Sequence, residues 1–270
     1  METLRLERDG PVGWLWLNRP DKLNSFTIQM WRELAELGEK LSGDGELRAL
    51  VVIGEGRAFS SGIDTSVFTS AERDDAARDD TASRHPDPVV AAVLRTQDAY
   101  TWLEEAPFVT IAAVRGYALG AGLQLALACD LRVVADGTKL GLLELKYGIL
   151  PDLGGTQRLP RLVGPGKAKE LIFTGAQIDA GEALRIGLVE RVVGDADLDH
   201  EAGELAARIA AQPPLAVRGA KRAIAASSTM PIREGLLVEA QAQAICLQSD
   251  DMREAITAFV EQRPPQYQAR

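Results

Sequence analysis

An α/β fold is what this sequence predicts, and three observations carry the expectation. Short apolar runs of strand length stand at residues 12–18, 49–53, 108–114 and 131–135. Stretches with apolar residues at helical spacing separate them. The 270 residues are 46% hydrophobic and 26% charged, which suits one large unit with a sizeable core better than several small modules. Alternation of strand and helix in one unit of this size is an α/β layout.

Taken in order, Met1 to Glu7 alternates charged and apolar residues and has no apolar stretch of the secretory-signal kind. Val12 to Asn18 reads as a buried strand that Arg19-Pro20 ends. Asn24-Ser25 is expected to cap a helix running to about Leu41, with Ile28, Trp31, Leu34, Leu37 and Leu41 on one face. Ala49 to Ile53 is a short strand, and Gly54 to Arg57 turns out of it. Residues 69–88 hold nine charged residues, His85, Pro86 and Pro88 with little periodicity. They predict an exposed, mobile segment leading into a helix from about Val89 to Glu105. Phe108 to Val114 is a buried strand ending at Arg115-Gly116, Gly120-Ala121-Gly122 opens an apolar helix to Cys129, and Leu131 to Ala135 returns as a strand. Beyond Gly154 the pattern is mostly helical, with one strand at Leu188 to Val193 and three terminal helices starting near Pro214, Pro231 and Ser249. No internal repeat interrupts this order.

Composition excludes several functions. A net charge of −9 disfavours a protein that tracks nucleic-acid phosphates. No apolar run approaches the ~18 residues of a membrane span. Cys129 and Cys246 form neither a disulfide framework nor a metal spacing, and two histidines cannot supply a multi-histidine metal site. Ser60-Ser61 lacks a neighbouring histidine, because His85 and His200 both stand in charged, solvent-type surroundings, so a Ser-His-Asp triad is not expected. The chain reads as cytoplasmic, without metal.

Chemistry is expected at three places. Ala58 to Asp64 follows one strand, and Gly116 to Gly122 follows another. A helix opening at Ala121 leaves unpaired N–H groups and partial positive charge at its start. Two such loops side by side would aim two N–H groups at one oxygen, as in an oxyanion hole. From spacing alone the same glycines serve equally well as turn residues. Neither loop matches a P-loop or a dinucleotide fingerprint. The third place is Leu142 to Thr156, where Glu144 lies among leucines and Asp152 stands between Pro151 and a glycine pair. Desolvation raises the pKa of such a carboxyl and suits it to proton transfer, although an ordinary surface carboxylate fits the same pattern.

Five segments in order give the chain a resemblance to the enoyl-CoA hydratase/isomerase, or crotonase, family along nearly its whole length. They are residues 17–25 (LNRPDKLNS), 58–64 (AFSSGID), 116–130 (GYALGAG…ACD), 154–164 (GGTQRLPRLVG) and 250–263. The resemblance implies a crotonase-like spiral of ββα turns over residues 1–195. It also implies a helical C-terminal region, 196–270, that assembles a homotrimer or a hexamer. It implies an acyl-CoA thioester as substrate and no separate cofactor, coenzyme A being part of the substrate. The thioester oxygen would be held by the backbone N–H groups of Ile63 and Ala121, which stabilise an enolate.

Residues matching the family's acid/base positions decide the reaction. Hydratases of the family carry two glutamates, and here Gln124 stands at the first position and Glu144 at the second. An amide orients a substrate or a water but does not exchange a proton near neutral pH. The pattern therefore leans toward isomerisation of a double bond on Glu144, with Asp152 where dienoyl-CoA isomerases place an aspartate. Hydration on Glu144, with Asp152 or Gln124 placing the water, is the near alternative. An aspartyl nucleophile at Asp152 and an acyl-CoA-binding protein without turnover are further ones. Contacts with coenzyme A would come from the backbone around Lys22, Leu23 and Asn24 and around Ser60, Ser61 and Gly62, with Asp64 and Gly120. Phe259 and Arg263 would reach the nucleotide, the latter two from a neighbouring subunit.

Overall fold

A computed structural model describes residues 1–68 and 85–270. The expected mobile segment therefore lies outside the described residues except for its last four positions. Strands β1 (Leu4–Asp9) and β2 (Val12–Leu17) form an antiparallel hairpin. Beside them β3 (Ala49–Gly54), β4 (Val109–Val114), β6 (Leu131–Ala135) and β9 (Arg191–Val193) run parallel, giving one six-stranded sheet in the order β1-β2-β3-β4-β6-β9. A smaller sheet holds β5 (Tyr117–Leu119), β7 (Lys139–Gly141) and β8 (Ile178–Asp179). Isolated bridges Phe26–Ile63 and Ser60–Ala118 extend this second layer.

One unit recurs along the chain: a strand of the large sheet, a strand or bridge of the second layer, then a helix. β2 passes through Phe26 into α1 (Ile28–Ser42), and β3 passes through Ser60 and Ile63 toward α2 (Pro88–Glu105). β4 passes through β5 into α3 (Ala121–Ala128), and β6 passes through β7 toward α4 (Gly155–Thr174). This is the expected ββα spiral.

The inner strands β3, β4 and β6 are buried on both faces, so they read as mostly apolar runs. Leu50, Val52, Ala112, Val114 and Val134 face a core shared with α1, α2 and α3. Their alternates Val51, Ile53, Ile111, Ala113 and Val133 face Leu198, Ala202, Leu205 and Ala206 of α6 (Leu198–Ala210). The first helix of the C-terminal region thus completes the core. Short α5 (Ala180–Arg185) precedes β9, and α7 (Pro214–Ser227), α8 (Ile232–Gln248) and α9 (Asp250–Glu261) follow α6. Lys221 of α7 ties this region back, its Nζ donating to Asp130 Oδ2 at 2.7 Å and to the carbonyls of Leu103 and Phe108. Ile232, Leu237, Phe259 and Val260 stand exposed on the terminal helices.

Three sequence expectations change. Thr27, not Asn24-Ser25, caps α1, its hydroxyl accepting from Met30 N–H at 3.2 Å. Leu23 and Asn24 are left-handed, with φ of 49° and 53°, which stops the helix from starting there. β1 was not expected as a strand, although Leu4 and Leu6 alternate with charged residues and pair across β2 with Leu17 and Leu15. The strand expected from Leu188 is confined to Arg191–Val193. Among the described residues no helix is long and apolar enough to cross a membrane, and no cluster of three or more His, Cys, Asp or Glu could hold a metal.

Candidate active site

A cavity of about 700 Å³ opens between α1, α2 and the second layer. Ile28, Trp31 and Ala35 line it from α1, and Val89, Val93 and Thr96 from α2. Val67, Phe68, Leu143, Tyr147 and Leu153 complete a largely apolar wall, with Phe68 and Tyr147 stacked at a ring distance of 6.1 Å. Its floor is Ser61 to Ile63 and Leu119 to Ala121, with Glu144 and Asp152. The three places picked out in the sequence meet here.

The direction of the two main-chain donors follows from the ladder. Phe26 N–H donates to Gly62 O and Asp64 N–H donates to Phe26 O, both at 2.8 Å. In a parallel bridge of this kind the intervening residue, Ile63, turns its own N–H to the opposite edge. Along that edge Leu119 N–H donates to Ser60 O at 3.1 Å, after which β5 ends and the chain enters α3. Gly62 has φ of 105°, and a Cβ on it would stand 3.0 Å from Leu119 O and 3.9 Å from Ala121 N. A side chain there would wedge the two loops apart. Ala121 is the first residue of α3, so its N–H has no acceptor inside the helix and carries the positive end of the helix dipole.

Glu144 sits beside these donors: a Cβ on Gly120 would lie 3.3 Å from its Oε1. The same Oε1 accepts from Gln124 Nε2 at 2.7 Å, while Oε2 is buried without a hydrogen-bond partner. Burial raises the Glu144 pKa, and the nearby Asp152 raises it further against the opposing Gln124 bond. Gln124 is held from behind, because its Oε1 accepts from Leu153 N–H at 2.8 Å and Gly155 N–H at 2.9 Å. Those bonds fix which end of the amide faces Glu144. Asp152 lines the same cavity, and burial raises its pKa as well. Its carbonyl accepts from Gln97 Nε2 at 2.6 Å, and Arg158 Nη1 donates to Leu153 O at 2.9 Å, so α2 and α4 both hold this loop.

Residues 7–270 match the family model described as enoyl-CoA hydratase/isomerase. The chain belongs to this family. A Mycobacterium tuberculosis protein named "Probable enoyl-CoA hydratase echA8" is 38% identical to it over 266 residues, covering 98% of each chain. A crystal structure of enoyl-CoA hydratase from Bacillus anthracis superposes with a TM-score of 0.89 at 36% identity, covering 99% of this chain and 100% of the other. A Thermobifida fusca YX structure determined in complex with acetoacetyl-CoA reaches a TM-score of 0.82 at 38% identity, covering 91% of this chain and 95% of that one. The fold is that of the crotonase superfamily, and the protein is an acyl-CoA enzyme of it.

Within the family frame, the expected residues separate into two groups. Ser61, Gly62, Ile63, Gly120, Ala121, Glu144 and Asp152 line the cavity, and Gln124 touches it through Glu144. Ser60, Asn24 and Asp64 lie behind it. Asn24 is fully buried, its amide donating to the carbonyls of Glu55 and Ala58 and its Oδ1 accepting from Arg19 N–H. Ser60 Oγ donates to Asn24 O and accepts from Gly62 N–H. Burial alone would raise the Asp64 pKa, but hydrogen bonds from Ser66, Arg19 and Ser25 outweigh it and hold the carboxyl at about 2. Through these bonds the three side chains brace the loops. Lys22, Leu23, Phe259 and Arg263 do not line the cavity of this chain, and Arg263 is paired with Glu254 and Glu261. The sequence reading missed Trp31 as cavity wall, and missed Tyr100, Gln97 and Arg158 as its supports. Only the apolar face of α1 hinted at the first, no local signal marks Tyr100 or Gln97, and Arg158 stands within the 154–164 segment that carries the resemblance.

Proposed function

We propose that this protein hydrates 2-enoyl-CoA thioesters, with Glu144 as the proton-transfer group. The observation that carries the reading is the buried Glu144 carboxyl beside the main-chain N–H groups of Ile63 and Ala121. Those groups receive the thioester oxygen and stabilise the negative charge that develops there. The Glu144 carboxylate takes a proton from a water as its oxygen bonds to C3. The pair of electrons from the C2–C3 double bond moves toward the thioester, and the proton returns to C2. One water is added and the carboxylate is regenerated. Asp152 shares the cavity and orients the water, while Gln124 holds Glu144 in place. Names of the full-length relatives support hydration over the isomerisation that the sequence alone suggested.

Gln124 favours a second reading. With one proton-transferring carboxylate and an amide at its side, Glu144 would take a proton from C2 of a 3-enoyl-CoA and return it at C4. No water is then consumed. Coenzyme A, in both readings, comes as part of the substrate. The exposed apolar residues of α7 to α9 support assembly of the 196–270 region into a homotrimer or hexamer, and a monomer in sedimentation at micromolar concentration would refute that.

Incubation of the pure protein with 2-enoyl-CoA and 3-enoyl-CoA, followed by mass spectrometry, separates the readings. Hydration adds the mass of a water to the 2-enoyl thioester. Isomerisation converts the 3-enoyl thioester at constant mass. If neither substrate changes while both bind, the protein is a binder without turnover and both readings fall.

A further inference from the structure

We propose that Tyr100 is a positioning residue for the oxyanion site, pinning the first residue of α3 so that the Ala121 N–H keeps its aim. The proposal rests on the assignment of Ile63 and Ala121 as the donors to the thioester oxygen. Tyr100 lies on α2, fully buried, and its hydroxyl donates to Ala121 O at 3.1 Å. Trp31 Nε1 donates to the same hydroxyl at 3.3 Å. An indole N–H is a donor only, so the Tyr100 oxygen must accept from Trp31. Its single proton is thereby committed to Ala121 O. Burial holds the phenol far from ionisation, so the donor persists at any working pH.

The same aromatic cluster reaches the other donor. The Phe26 ring stacks on Trp31 at 5.9 Å and meets Tyr100 edge-on at 5.6 Å. The Phe26 main chain brackets Ile63 through its bonds to Gly62 and Asp64. One rigid group of three rings therefore fixes both loops relative to each other, and Trp31 presents its outer surface to the cavity. Electrostatic stabilisation of an enolate depends on donors held in place before charge develops, so slack at Ala121 weakens enolate binding without weakening the ground state.

Acetoacetyl-CoA is the probe, because its enolate absorbs in the ultraviolet apart from the keto form. The fraction enolised on the protein reads the strength of the oxyanion site. Tyr100→Phe removes only the hydroxyl, and its enolate-to-keto ratio and kcat should both fall about 3- to 10-fold, the size of one neutral hydrogen bond. Affinity for butyryl-CoA, which has no charge to stabilise, should stay within about twofold. A merely structural loss would lower the melting temperature without this split. Trp31→Phe keeps the hydroxyl but frees its rotation, and should give a smaller fall in the same ratio. A folded Tyr100→Phe variant with the wild-type ratio overturns the proposal. Should that variant not fold, a wild-type ratio in Trp31→Phe overturns it instead. Wild-type protein that binds acetoacetyl-CoA without raising its enolate fraction refutes the oxyanion assignment itself, a separate outcome.

Discussion

Replacing Gln124 by glutamate would set two carboxyl groups face to face. Gln124 Nε2 and Glu144 Oε1 are 2.7 Å apart, so the substitution puts oxygen against oxygen at that separation. Two charges there repel by about 1.5 kcal/mol with water-like screening and about 6 kcal/mol at an effective dielectric of about 20. That range is about 1 to 4 pKa units for the second ionisation. The far oxygen of the introduced carboxylate still accepts from the N–H groups of Leu153 and Gly155, which favours its charged form. The proton should therefore settle on Glu144, which becomes the acid while the new group becomes the base. The assay is kcat/KM for hydration of a 2-enoyl-CoA against pH, with the profile assigned to the pair rather than to either residue. An alkaline limb, the second ionisation of the pair, should appear at least about one unit above the acid limb of the wild type, and water addition near neutral pH should accelerate. A profile without that alkaline limb would refute the contact geometry on which the assignment of Glu144 rests.

Glu144→Gln should lower turnover by about 10²- to 10⁴-fold with acyl-CoA affinity retained, measured by steady-state kinetics and calorimetric binding. The same variant should melt higher: a carboxyl whose pKa rises on folding contributes stability only while protonated, and that contribution is lost as pH rises through the folded pKa. Ala121→Pro deletes one oxyanion donor at a position where a helix tolerates proline, and should cost about 10²- to 10³-fold in kcat. Glu33 accepts from Glu2 N–H, Thr3 and Gln29, and these bonds outweigh the burial that would raise its pKa, holding it at about 2. Its contribution is complete above the ordinary carboxylate range and is lost as pH falls toward 2, so Glu33→Gln should flatten the acid side of a melting-temperature profile.

Much of the spiral was legible because its central strands are mostly apolar runs and its helix starts carry Pro88 and Gly120. Positions set by distant partners were not. Asn24 looks like a helix cap from its neighbours, but its Oδ1, the atom a cap would use, accepts from Arg19 N–H. The carbonyls of Glu55 and Ala58, some thirty residues on, hold the amide in that orientation. Short strands β5, β7 and β8 hold three, three and two residues, too few for a periodicity to show. In the site, Glu144 stood out because a carboxylate among leucines is anomalous. Its hold by Gln124 needed the contact between α3 and the 144–155 segment. Trp31 and Tyr100 meet across 69 residues, and neither has any local mark of the hydrogen bond they share.

Both donors proposed for the thioester oxygen are peptide groups, and a single codon change that leaves the ladder intact cannot delete either one short of proline. The enolate-stabilising half of the site is therefore insulated from drift, whereas Gln124, Glu144 and Asp152 are each one substitution from a different proton inventory. A lineage built this way can sample new acid/base sets without first losing the power to hold a reactive thioester. Directed evolution of this chain should find new acyl-CoA chemistries more often by randomising those three positions than by altering the glycine loops.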